Sequence, residues 1–315
     1  MTQFDRPLIL PDEIAWSYDS WFRRINFLAL ADYQNEEKTG LAAGQDTEGF
    51  KRVLLLAQSA GLSISEFTSQ HSMVTLSANA TRSEWKKDEK QGKVFHHLRP
   101  FAYWCKKCAE LDLQKYIRSY WRRTHQIPGI HWCHIHTRIQ LSRAPLDAYE
   151  TQPIFAKSAL PSEAERTMID NCRTHPAVPR YLKICQVTLY LQHPFVNRSV
   201  RFAILRQSAR SGIKIEQNLK GADLADEVLS TYPSDWLSGI ADLERLRKNC
   251  DQLLGSTVPY MSGYFLALIG GSLWKKPMDA IFAFENADAR FAPGFRRHST
   301  RYYGLVRLAR PPSLY

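Results

Sequence analysis

Two short knuckles carry the residues best suited to chemistry: Cys105-x-x-Cys108 and Cys133-x-x-His136. A Cys-x-x-Cys turn brings two thiolates to one small cation, and a second knuckle supplies two more donors and closes a tetrahedron. Soft sulfur with one imidazole selects zinc over oxygen-seeking cations. Four protein donors leave no position for a reacting water, so the predicted Zn²⁺ is structural. His136 is the fourth ligand by a spacing that mirrors the first knuckle, with His134 and His131, which flank Cys133, as the alternatives. A redox role for the first knuckle needs a βαβ setting that the neighbouring sequence lacks. Lys106 and Lys107 between its cysteines argue for an exposed turn rather than two buried thiols.

Other chemistry finds little support. The chain has no Walker A loop, Rossmann glycine pattern, nucleophile elbow or HExxH. His96-His97 would suit a metal-dependent nuclease only with carboxylates gathered around the pair, and no acid-rich cluster accompanies it. The charge points elsewhere. A net +11 and an isoelectric point near 9.4 favour a polyanionic partner, most simply nucleic acid. Between Arg82 and Arg123 stand twelve Lys or Arg against five acids, interleaved with Trp85, Phe95, Tyr103, Trp104, Tyr116, Tyr120 and Trp121. Cations neutralise phosphates and aromatics stack on bases or fill a core; here most of the aromatics are expected inside and the cations outside. The expected nucleic-acid or partner contacts are Lys86, Lys87, Lys106, Lys107, Arg122 and Arg123, joined by Arg296 and Arg297 in a tail with no acid after Asp288.

Positioning these residues falls to a mainly α fold. Residues 1–80 are expected as helices of helix-turn-helix outline, 81–145 as a small zinc-binding module, 146–160 as a proline-containing linker, 161–289 as a C-terminal helical bundle and 290–315 as a basic aromatic tail. Pro11-Asp12-Glu13 predicts a helix start with acid in its first turn, and Ile14, Tyr18, Trp21, Phe22, Ile25 and Leu28 fall on one helical face. A second helix runs from Glu48 to Ala60 and stops at Gly61; Ser63 and Glu66 form a capping box that opens the next. That next helix, Ser65 to His71, has no Lys or Arg, so a structural or protein-contact role suits it better than reading a DNA groove. Ser162 and Glu165 repeat the capping box at the start of the bundle. The uncharged run Leu253 to Trp274 contains Pro259, Gly263, Gly270 and Gly271, a poor membrane span and a better buried helix. Cys172, Cys185 and Cys250 read as buried thiols in a reducing cytosol.

The stretch between the knuckles is the most specific signal. Tyr120-Trp121-Arg122-Arg123-Thr124-His125-Gln126-Ile127-Pro128-Gly129, set between Cys105/Cys108 and Cys133/His136 and followed by Leu141, resembles the TniQ/TnsD family of bacterial transposon target-selection proteins. Pro11 and Glu13 ahead of Ser20-Trp21-Phe22-Arg23-Arg24, and the helix-turn-helix outline at Phe50 to Phe67, fit the same pattern. The resemblance covers about the first 145 residues. Lys106 stands where many relatives have proline and Thr137 where many have glycine; neither change removes a ligand. No further Cys-x-x-Cys follows, so the second cysteine ribbon of some relatives is missing. The resemblance implies a non-catalytic adaptor that marks the insertion site and recruits an AAA+ transposition regulator, which brings the transposase. Some such proteins read DNA directly, as TnsD-like selectors. Others bind a CRISPR effector complex (Cascade), often as a homodimer, and are delivered by guide RNA, so base pairing supplies the sequence information. The short chain, the missing ribbon and the lack of a clear recognition helix favour the guided mode, in a bacterial cytoplasm and away from membranes. A sequence-specific DNA binder acting alone and a metal-dependent nuclease are the alternatives.

Overall fold

The computed structural model describes residues 5–28, 47–77, 93–136, 139–159, 161–191, 195, 197–213, 222–254 and 262–286. These residues are mostly helical, with one two-stranded sheet among them. Helix α1 (Ala15–Ile25) begins after a sharp reversal at Asp12, where φ is +63°. The expected acid in its first turn is absent. Glu13 instead turns inward, fully buried, and accepts two hydrogen bonds from the Arg118 guanidinium at 2.6 and 2.7 Å. A buried charge is tolerated only when paired and bonded in this way, and that demand overrides the smaller gain from the helix dipole.

Helix α2 (Thr47–Ser59) ends at Gly61, whose φ of +70° suits a residue without Cβ. Helix α3 (Ile64–His71) opens on the expected capping box: Ser63 Oγ accepts from the Glu66 N–H, and Glu66 accepts from the Ser63 N–H. A short α4 (Val74–Ser77) follows. Tyr18 and Phe22 of α1, Val53, Leu56 and Ala57 of α2, Phe67 of α3 and Val94 form a small core of their own.

Strand β1 (Ala102–Trp104) pairs antiparallel with β2 (Ser142–Ala144), Ala102 opposite Ala144. Helix α5 (Lys106–Tyr116) follows β1 directly, and a 3-10 turn spans Arg123–Gln126. The stretch 146–160, expected as a linker, is a clasp. Its 3-10 turns Leu146–Glu150 and Pro153–Phe155 lie against α1 and α5. Glu150 receives Arg23 at 2.6 Å and, on its carbonyl, Ser20 Oγ at 3.0 Å. The Trp121 indole N–H donates to Thr151 O at 2.8 Å, and the Ser119 N–H donates to the Gln152 side chain at 3.0 Å. Proline here fixes a tight path rather than a loose one.

The bundle comprises α6 (Glu163–Thr174), capped by Ser162 and Glu165 as expected, α7 (Ala177–Leu189), α8 (Asn197–Arg210), α9 (Ala222–Thr231), α10 (Ser234–Ser238), α11 (Leu243–Leu254), α12 (Gly263–Leu273) and α13 (Pro277–Asn286). The apolar run read as a buried helix contains α12, which lies against α7 at the centre. No described helix is long and apolar enough to cross a membrane. One continuous core joins Ile14, Trp104, Cys108 and Trp121 to Tyr181, Trp236, Phe265 and Phe284. The knuckle region and the bundle therefore share an interior across the 146–160 stretch. Cys172, Cys185 and Cys250 are buried thiols, as expected.

Candidate metal centre

Strand β1 delivers the first knuckle. Cys105 is the extended residue before α5, and Cys108 sits in its first turn, so both sulfurs lie at a helix N-terminus, where peptide dipoles favour anions. The second knuckle is held by a narrow pairing: Trp132 bridges Gln140, the Cys133 N–H donates to Ile139 O at 2.9 Å, and the Ile139 N–H donates to His136 O at 2.7 Å. This turns the His136 ring back over Cys133.

The four expected donors converge. His136 Nδ1 lies 3.5 Å from Cys105 Sγ, 3.3 Å from Cys108 Sγ and 3.6 Å from Cys133 Sγ, and Cys108 and Cys133 Sγ are 3.6 Å apart. A tetrahedral zinc with the usual Zn–S and Zn–N bonds has edges of about 3.6–3.8 Å. The spacing thus fits such an ion without rearrangement. The three sulfurs are buried, and together the four residues form a group able to hold a metal. Thiols this close compete for charge. Hydrogen bonds from Cys108 and Cys133 pull the Cys105 thiol well down, and the bond to Cys105 pushes Cys108 well up. Only a cation among them lets all three ionise. This buried Cys₃His cluster is compatible with zinc, whose contribution when bound is a cross-link between the two knuckles.

The alternative ligands lie elsewhere. His131 packs edge-on to Tyr103, with ring centroids 6.5 Å apart. His134 turns toward His125, and the two rings form a separate three-donor group with Cys133. Of the other histidine pair, His96 is exposed and His97 stacks on both Trp16 and Tyr149, at 4.8 and 5.3 Å.

The cations divide in a way the sequence did not reveal. Lys106 and Lys107 are exposed beside the first knuckle. Arg122 and Arg123, expected to touch nucleic acid or a partner, are drawn into the fold. Arg122 pairs with the buried Asp112 at 2.5 Å and lies over the Tyr120 ring; burial pushes the Asp112 carboxyl up to about 6 despite that partner. Arg123 is 1% exposed and donates to the carbonyls of Ser69 and Ser72. Arg99 and Arg118, counted in the same basic stretch, are buried too. Arg99 donates to Ile130 O at 2.7 Å and lies over Tyr103, and burial pulls it down to about 10. Lys86, Lys87, Arg296 and Arg297 lie outside the described residues.

The residues between the knuckles turn out to be fasteners. The Tyr120 hydroxyl donates to Pro11 O at 3.0 Å. Gln126 grips both backbone groups of Tyr103, at 3.0 and 2.7 Å, two residues before Cys105. Pro128 O accepts from the Tyr181 hydroxyl at 2.9 Å, and Gly129 O from the Trp236 indole at 2.9 Å. Gly129 has φ +75°, and a Cβ there would stand 2.3 Å from Ile240 Cδ1. The motif therefore ties the N-terminal arm, the metal cluster and the bundle to one another.

A second feature was not legible in the sequence. An open groove of about 790 Å³ runs between α8 and α13, with Leu205 and Trp274 in its lining, Phe202 and Phe282 exposed, and Arg206, Arg210 and Lys275 beside Asp279. The residue pattern along α8 carries no sign of the concavity beside Arg206 and Arg210.

A search of curated proteins found no match to the chain. A family model described as TniQ matches residues 11–139, from the reversal before α1 to the end of the second knuckle. The match includes every donor of the cluster and the whole fastening motif, so residues 11–139 form a TniQ domain, the domain of transposition-associated target-selection proteins.

Proposed function

We propose that this protein is a non-catalytic targeting adaptor, which recruits an AAA+ transposition regulator to an insertion site and is itself delivered by an RNA-guided CRISPR effector complex of the Cascade kind. The TniQ domain with its closed four-donor cluster is the observation that carries this reading. Four protein donors hold a metal without an open position, which suits a platform and not a reaction centre. Among the described residues, the groups of His, Cys, Asp and Glu close enough to share a metal are that cluster and a second set built on the same Cys133. Neither is the carboxylate-rich site that a metal-dependent nuclease uses.

Guided delivery is supported by what α3 presents. Its exposed residues Ser65, Glu66 and Gln70 include no cation, so it is poorly equipped to hold DNA by its phosphates. Two groups of exposed cations suit contacts to a partner or to backbone phosphates: Lys106 and Lys107 beside the cluster, and Arg206, Arg210 and Lys275 along the α8–α13 groove. Lys86, Lys87, Arg296 and Arg297 are proposed for the same role.

Co-purification tests this. The full chain is expressed with a candidate regulator and, separately, with an RNA-guided effector complex. Retention on both is expected, and Arg206→Glu with Arg210→Glu weakens at least one while metal content holds. Tight binding of the isolated chain to one defined duplex, with a steep salt dependence and no affinity for the effector complex, would replace guided delivery by direct reading of the target.

A further inference from the structure

One more ring faces the cluster. His125 lies in the 3-10 turn Arg123–Gln126, is 1% exposed, and places Nε2 3.6 Å from Cys133 Sγ. The same sulfur receives the His136 backbone N–H at 3.3 Å. Cys133 is fully buried, so water cannot solvate its negative charge. Three thiolates, one neutral imidazole and a dication leave a net negative site, and buried negative charge is stabilised by N–H donors aimed at the sulfurs. Among the described residues, His125 supplies the side-chain contact to a cluster sulfur from outside the four donors.

We propose that His125 donates its Nε2–H to the Cys133 thiolate and so acts as a positioning residue of the metal centre. This assigns a task to the histidine of the Tyr120–Gly129 motif. Its neighbour Gln126 fixes β1 on the Cys105 side, so one turn of chain steadies both knuckles. The competing arrangement is a second metal, since His125, Cys133 and His134 also form a three-donor group. The geometry favours the hydrogen bond for two reasons. Cys133 Sγ already faces the first cluster, so it would have to bridge two dications. The positive charge of Arg122 also acts on His125, which opposes a second cation there, although at His134 the negative charge of Asp12 is the larger.

The inference rests on metal binding at the four-donor cluster, and the test separates the two. The full chain is loaded with Zn²⁺, and the side-chain nitrogens of isotope-labelled histidine are read by NMR. A zinc content near zero fails the four-donor reading. With about one zinc per chain bound, His125 is expected as the Nε2–H tautomer. An unprotonated Nε2, or two metals per chain, overturns the proposal. Variants add an independent readout. His125→Phe keeps a ring of similar size without the donor; it is expected to weaken metal binding about 10- to 100-fold, to move the sulfur-to-metal charge-transfer band of the Co²⁺-loaded protein to lower energy, and to speed alkylation of Cys133. His125→Gln, which places an N–H donor near the same point, restores the band toward the wild-type position. A phenylalanine variant with unchanged affinity and spectrum also overturns it. Should that variant not fold, the tautomer measured in the unmodified chain still decides.

Discussion

Replacing Arg123 by methionine removes a guanidinium and keeps much of the side-chain volume. Arg123 is 1% exposed, one amino group serves the carbonyls of Ser69 and Ser72, and Nε stands 3.7 Å from the Asp12 carboxylate. The variant leaves two buried carbonyls short of a donor and a largely buried carboxylate short of a counter-charge. Removing one partner from a buried charged arrangement costs about 3–5 kcal/mol. With about 2.1 cal/mol/K of unfolding entropy per residue over a chain of this length, that is a fall of about 5–8 °C in Tm. Differential scanning calorimetry with metal content measured alongside is the assay. Asp12→Asn in the same background recovers part of the loss, because it withdraws the unpaired charge. The contrast is Arg206→Glu with Arg210→Glu, on the exposed face of α8, which shifts Tm by no more than about 2 °C. An Arg123→Met variant that keeps its Tm and loses only nucleic-acid or partner binding would refute the assignment of Arg123 to the interior.

Three further outcomes follow from the geometry. Cys105→Ser or Cys133→Ser removes one of three thiolates; metal content drops below one per chain, and the knuckle region unfolds at a lower temperature, as both metal analysis and thermal scans will show. Gly129→Ala meets a positive φ and Ile240 Cδ1 at 2.3 Å, for a loss of about 2–4 kcal/mol by denaturant titration; Gly61→Ala, with a similar φ and open space around it, costs only the backbone part. Burial holds His71 down to about 4 from its ordinary 6.5. The unfolded chain therefore binds more protons than the folded one between those values. Stability is full above about pH 6.5 and declines by about 1.4 kcal/mol per unit as pH falls toward 4. His71→Asn, which can keep the contact to Glu13 O, flattens that part of the pH profile relative to the wild type.

What the sequence disclosed were local rules. Cys105 to His136 could be read because ligand spacing is a short-range constraint, and the capping boxes at Ser63 and Ser162 because each closes within four residues. The stop at Gly61 and the buried α12 were legible for the same reason. Long-range pairings were not. Nothing near Arg118 names Glu13, and nothing near Arg123 names Ser69. A basic aromatic stretch looks the same whether its arginines point to phosphate or to carbonyls of the same chain. The clasp at 146–160 was hidden likewise: its prolines punctuate the chain, and only the tertiary partners Ser20, Arg23 and Trp121 decide that it folds back.

The inward arginines change what the metal cluster is for. A small zinc module that used its cations at the surface could act as an independent nucleic-acid clamp. Here the polypeptide between the knuckles binds Pro11 through Tyr120, Ser69 through Arg123, Tyr103 through Gln126 and the bundle through Pro128 and Gly129. Each of these bonds joins segments far apart in sequence, and each depends on the same ten residues keeping one conformation. Fixing both ends of that stretch by a single ion lowers the entropy it must lose on folding. The effect of such an ion would therefore reach residues that never touch it. Metal loss should disturb the groove between α8 and α13 through Tyr181 and Trp236 as well as the knuckles themselves. Hydrogen exchange of the bundle in metal-loaded and chelated protein measures that reach: faster exchange in α7 and α10 on chelation supports a shared scaffold, and unchanged exchange there would confine the metal's role to residues near the cluster.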